Sequence, residues 1–186
     1  MSWNDFHHRE EILRVVVDTA DENRDGALPM HVAGVSQNFA DELDLVGALL
    51  LKWNARLMGN IERALMREPM DLEGAVAEAW RTTAEQLPGV RMVIDRCAEA
   101  PASPEMERAM NRAHDRESAY LATAAGLSSG RSTASIEAGR RVEQLARAGA
   151  PLEVQEPERA PERESDQRSD APTETLADRI RAVLAA

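Results

Sequence analysis

His7, His8, His31, His114 and Cys97 are the side chains of this sequence with the readiest metal-ligand or nucleophile chemistry. His7 and Glu11 stand four residues apart, so one helical face can present an imidazole and a carboxylate together to a metal ion. Di-iron bundles use Glu-x-x-His pairs instead, and no histidine here follows a glutamate at that spacing. The competing reading makes His7 and His8 solvated residues near a helix start and lets His31 and His114 hydrogen-bond locally. Cys97 could act as a nucleophile only beside a base that lowers its pKa; no base lies at local spacing, so it reads as a buried apolar cysteine. Being the only cysteine, it cannot form an intramolecular disulfide. Ser128-Ser129-Gly130-Arg131-Ser132 opens a helix and could hold an anion on backbone N–H groups, but it lacks a phosphate-binding lysine and reads as ordinary loop chemistry.

Asp21-Glu22-Asn23-Arg24-Asp25-Gly26-Ala27-Leu28 resembles the first half of an EF-hand loop. Asp21, Asn23 and Asp25 supply oxygens at alternate positions, Gly26 permits the sharp turn, and Leu28 is the following aliphatic. The closing bidentate glutamate is replaced by Val32, and Pro29 occupies another ligand position. Asp21, Asn23 and Asp25 are thus candidates for half an oxygen cage, and the expectation is a polar helix–helix turn with no assigned metal. Any cofactor is unknown at this stage.

The last dozen residues, 175–186, carry a different signal. Leu176, Ile180, Val183 and Leu184 fall at i, i+4, i+7 and i+8, an apolar stripe about 100° wide, with Asp178, Arg179 and Arg181 on the other side. Thr175 and Asp178 make a start like a capping box. A helix this short is marginal in water, so it needs a surface for its stripe: its own core or a groove on another protein. An Ile-Arg-x-Val-Leu helix with an upstream leucine, joined to a domain by a proline-rich stretch, resembles the encapsulation peptides of bacterial microcompartment cargo. In that family such peptides attach enzymes to the inner shell surface or to each other. The resemblance implies that Leu176, Ile180, Val183 and Leu184 are the partner-binding face.

Several helices must carry these residues. Leu13, Val17 and Ala20 predict a helix over 4–20. Asn23 to Gly26 is a turn, and Pro29 opens a short helical or irregular piece. Phe39, Leu43, Val46, Leu50, Trp53 and Leu57 alternate steps of four and three and predict a helix over 39–66; Leu45 and Leu49 widen its apolar face, which makes it the centre of the domain. Asp71 is the expected N-cap of a helix to Leu87 carrying Leu72, Val76, Trp80 and Thr83. Pro88-Gly89 marks a turn, followed by a short helix with Val90, Val93, Ile94 and Cys97 inward. Ser103-Pro104 reads as N-cap and first position of a helix to Ala125 with Met106, Met110, Ala113, Tyr120 and Leu121 facing in. After a loop over 126–130, a last helix covers 132–148. Met58, Met66, Met92, Met106 and Met110 are either an adaptable partner surface or core filler.

Composition agrees. Aromatics are 3% of a chain that is 43% hydrophobic, so the core is built from Leu, Val, Ala and Met, which favours helices over sheets. The net charge of −11 argues against nucleic acid and against an anionic membrane surface, because no basic stripe is visible along the sequence. The opening MSWNDFHHREE lacks the charge and apolar pattern of a secretory signal, so the expected location is cytoplasmic. Between 150 and 174 there are eight acidic and three basic residues, four prolines and almost nothing apolar, which predicts a disordered, self-repelling linker. The expected architecture is all-α: a bundle of five or six helices over 1–149, the linker over 150–174, and the docking helix over 175–186. The function that follows is a non-enzymatic interaction or accessory protein recruited to a larger assembly through the terminal helix. The alternative is a small helical enzyme or metal-binding protein with a site among His7, Glu11, His31 and His114.

Overall fold

Apolar residues at three- and four-residue spacing become helices wherever the sequence places them. The structure, a computed structural model, describes residues 3–149, with side chains from His7 onward. Among these residues are seven α-helices and no strand: α1 (Trp3–Asn23), α2 (Val35–Asn38), α3 (Glu42–Arg67), α4 (Leu72–Gln86), α5 (Pro88–Glu99), α6 (Pro104–Ala124) and α7 (Thr133–Ala148). Six are long, in accord with the all-α expectation, and α2 is a single turn of four residues. The chain divides into two units, Met1–Leu152 and Glu153–Ala186. The expected linker and terminal helix lie outside the described residues.

The helix starts follow their caps. The side chains of Asp41, Asp71, Ser103 and Ser132 accept from the backbone N–H groups of Asp44, Gly74, Met106 and Ser135; each such bond satisfies an orphan donor, worth ~1 kcal/mol. Pro88 and Pro104 sit at first positions, where their missing N–H costs nothing. Asp41 moves the start of α3 past Phe39, whose extended backbone leaves it outside the helix although its ring is buried.

Two glycines set the distances between helices. Pro88-Gly89, expected as a turn, lies inside α5, and a Cβ on Gly89 would meet the Ala20 carbonyl of α1 at 2.1 Å. Gly139 does the same between α7 and α6, where a Cβ would fall 1.7 Å from the Ser118 oxygen. These approaches hold α1 against α5 and α6 against α7, the latter among the broadest packings in the molecule.

The core centres on α4 as much as on α3. Seven of the 15 residues of α4 are buried, including the run Gly74, Ala75, Val76 and Ala77, against eight of 26 in α3. Trp53 of α3 and Trp80 of α4 meet edge to face at 5.6 Å. Leu50, expected deep, is only partly buried, because Leu45, Val46, Leu49 and Trp53 take the inward arc. No helix among the described residues is long and apolar enough to cross a membrane.

Candidate functional site

α6 carries Glu117 inward on the same stripe as Met106 and Met110, and its carboxylate is buried among four other helices. One oxygen accepts from Trp53 Nε1 at 3.1 Å and the other from Trp80 Nε1 at 3.0 Å. Arg91 of α5 brings Nη1 to 3.6 Å, with its guanidinium 4.8 Å over the Trp53 ring and 5.7 Å from the Trp80 ring. The guanidinium also donates to Asp95, one turn along α5, at 2.5 and 3.0 Å. Arg147 of α7 donates to Asp95 at 2.8 and 3.1 Å and to Glu143 at 2.9 Å, while covering the Trp80 ring at 4.7 Å. His114 Nδ1 stands 3.7 Å from the other Glu143 oxygen. Acid and base alternate through this chain of contacts, which ends in a cleft of about 320 Å3 between α5, α6 and α7.

The titration of these groups follows their surroundings. Burial pushes the Glu117 carboxyl up, and the Glu143 charge adds to that, while Arg91 and the two indoles pull it back only in part. Asp95 goes the other way. Burial alone would raise it, but Arg147 and Arg91 together outweigh burial and lower it. Arg147, despite desolvation, is held charged by Asp95 and Glu143. The Glu117, Asp95 and Glu143 carboxylates all have donors or cations already in place, so the network's evident work is to join α3, α4, α5, α6 and α7.

The structure separates the histidines. His7 and Glu11 line one shallow depression on α1 together with Lys52, and His8 is 4.0 Å from Glu11. His114 lines the α5–α7 cleft, and His31 lies exposed between α1 and α2. In the half-loop, Asp21 accepts from the Gly89 N–H at 2.7 Å, fixing the start of α5, and Asp25 accepts from the Ala27 N–H at 2.8 Å. Asn23 ends α1, exposed, and Val32 packs against the core. Among the described residues no group of three or more His, Cys, Asp and Glu side chains stands close enough to hold a metal ion. Cys97 is half-buried, and burial, with the Glu42 charge, raises its thiol above the usual value, which disfavours the nucleophilic thiolate. Of the methionines, Met106 and Met110 are core while Met58, Met66 and Met92 are exposed. Leu176, Ile180, Val183 and Leu184 lie outside the described residues.

Sequence reasoning missed Glu117, Arg91, Asp95, Glu143 and Arg147. One signal was present: a glutamate interrupting the apolar stripe of α6, with Arg91–Asp95 and Glu143–Arg147 each four apart. No protein-family model, characterised protein or solved structure matches this chain.

Proposed function

We propose that this protein is a non-enzymatic accessory protein recruited to a larger assembly through the stripe Leu176, Ile180, Val183 and Leu184, with the helical domain as its cargo. The supporting observation is where the helical domain stops. α7 ends on Gly149 in the left-handed conformation, φ 65°, which satisfies the end of the helix one residue before the acidic, proline-rich sequence begins. Each long helix turns a buried apolar face to a common core that closes within the helical domain, which supports reading the stripe of 175–186 as a separate docking element.

The resemblance of 175–186 to encapsulation peptides names the assembly: the inner face of a microcompartment shell, or other cargo held there. Each aliphatic side chain contributes ~1.5–3 kcal/mol at most when fully buried, and ordering a dozen residues costs about as much. A single tail therefore binds weakly, and many copies on one surface supply the avidity.

The test is a fluorescent reporter fused to residues 150–186. It should gather at the same cellular assembly as the full-length protein, and Ile180→Asp with Leu184→Asp should disperse both. A reporter that stays diffuse while the full-length protein still gathers would sink the reading.

A further inference from the structure

α3 and α6 leave a groove of about 470 Å3 between them, which shares Leu50, Ala113 and Glu117 with the α5–α7 cleft. Its α3 rim carries Leu51 and Met58, 73% and 46% exposed and two turns apart. Its α6 rim carries Arg112 and Arg116, one turn apart and both exposed. Lys52 and Arg56 follow on the outer side of the Leu51 stripe. Among the described residues none of these four cations has a hydrogen-bond or ion-pair partner, although other arginines of the domain, such as Arg9, Arg91, Arg140 and Arg147, are paired. On α6 the acids beside these arginines are occupied, Asp115 by Arg140 and Glu117 by the indoles, while Glu10 and Glu11 share a depression with Lys52 without forming an ion pair to it. An apolar strip bordered by cations without an ion-pair partner among the described residues is thus exposed on a chain whose net charge is −11.

We infer that this groove binds an acidic amphipathic helix of a partner protein. Gly47 to Met58 covers about 16 Å of α3 at 1.5 Å per residue, which matches three turns of an incoming helix. Apolar residues at i, i+4 and i+7 of that helix lie on Leu51 and Met58, and its flanking carboxylates meet Arg112 and Arg116 on one side and Lys52 and Arg56 on the other. The charge pattern selects this occupant over a nucleic acid, which needs a continuous cationic track rather than one split by apolar side chains. It selects it over a bilayer because Leu51 and Met58 border a concavity, whereas an interfacial helix presents a convex apolar face. Partner choice then rests on sign: carboxylates are attracted, and a basic helix is repelled. This surface is separate from the residues of the proposed recruitment tail.

The experiment uses the full-length protein and two labelled synthetic peptides of roughly 14 residues, about four turns. Both carry leucine at i, i+4, i+7 and i+11; one fills the exposed positions with glutamate and the other with lysine. Fluorescence anisotropy should show binding of the glutamate peptide only, weakened by added salt. Arg112→Glu with Arg116→Glu should reduce its affinity by about tenfold or more, because two attractive pairs become repulsive. Arg112→Gln with Arg116→Gln should give a smaller loss. A milder variant, Leu51→Ser with Met58→Ser, should weaken both salt-dependent and salt-independent binding. All sites are exposed, and thermal melts establish that each variant is folded. Equal binding of the lysine peptide overturns the inference, as does indifference to the arginine variants. So does displacement of the glutamate peptide by phosphatidylserine vesicles or a single-stranded oligonucleotide, or by a peptide of residues 150–186, which would give the groove a different occupant.

Discussion

Glu117 is an acid on an otherwise apolar stripe, and two neutral indole donors and a stacked guanidinium are what it faces. Replacing it with glutamine keeps the shape but sets an amide NH2 against one indole N–H, a lost acceptor that should cost ~1–3 kcal/mol by denaturant unfolding near pH 4.5. The pH dependence has a definite sign. Because burial raises the Glu117 carboxyl in the folded protein, its protonation stabilises the fold fully below the ordinary value of 4.5, and that contribution is lost as pH rises through the raised folded value. The stability gap between wild type and Glu117→Gln should therefore narrow as pH climbs from 4.5 towards neutrality; a widening gap would show that the shift has the other sign. Asp95 opposes it at the acid end, since its lowered carboxyl stabilises the fold above 3.8 and ceases to do so as pH falls below that. Packing is graded in the same way residue by residue. Leu49→Ala, at a fully buried site, should cost ~2–5 kcal/mol, and Leu50→Ala, at a partly buried one, clearly less. The spacing of α3 did not separate these two neighbours, because a wide apolar arc includes both and only the position of α4 decides which one is covered.

At the scale of elements, local chemistry was the readable part. Asp71 and Ser103 were identifiable as caps because the bond they make is to a backbone three residues on, within the same stretch of sequence. Gly89 was not identifiable, since Pro-Gly reads as a turn unless the carbonyl of Ala20, far away in sequence, is known to lie against it. The polar network was illegible for the same reason: its members come from five helices, and only the two pairs within α5 and α7 share a local spacing. The glycines make a sharp prediction. Gly139→Ala forces a Cβ into the Ser118 backbone, which cannot move without shifting α6 from α7, and should destabilise by about 1–3 kcal/mol or more. Gly47→Ala, with nothing within 4 Å of the added Cβ, should instead stabilise α3 by ~0.5–1 kcal/mol. Thermal melts of the pair would show opposite shifts.

For the whole molecule, the proposed recruitment is separable from the helical domain at residue 150. Truncation after Ala150 should change the melting temperature of the helical domain by no more than about 2 °C, the shift that ~0.5 kcal/mol produces at this size, while abolishing recruitment. A drop of many degrees would instead make 175–186 part of the core and remove the docking proposal. The all-α class was readable from composition and periodicity, whereas the cationic border of the α3–α6 groove was not, because Lys52, Arg56, Arg112 and Arg116 are dispersed through an acidic sequence and gather only when two helices lie side by side. The contact between Trp53 and Trp80 has an optical consequence. Two indoles at 5.6 Å and 72° are close enough to couple their excited states, and both have their ring N–H tied to one titrating carboxyl. The protein thus contains its own chromophore for the ionisation of Glu117: in a Trp3→Phe background, near-ultraviolet circular dichroism and emission wavelength should change with pH while the far-ultraviolet helical signal stays constant, and Glu117→Gln should flatten that response.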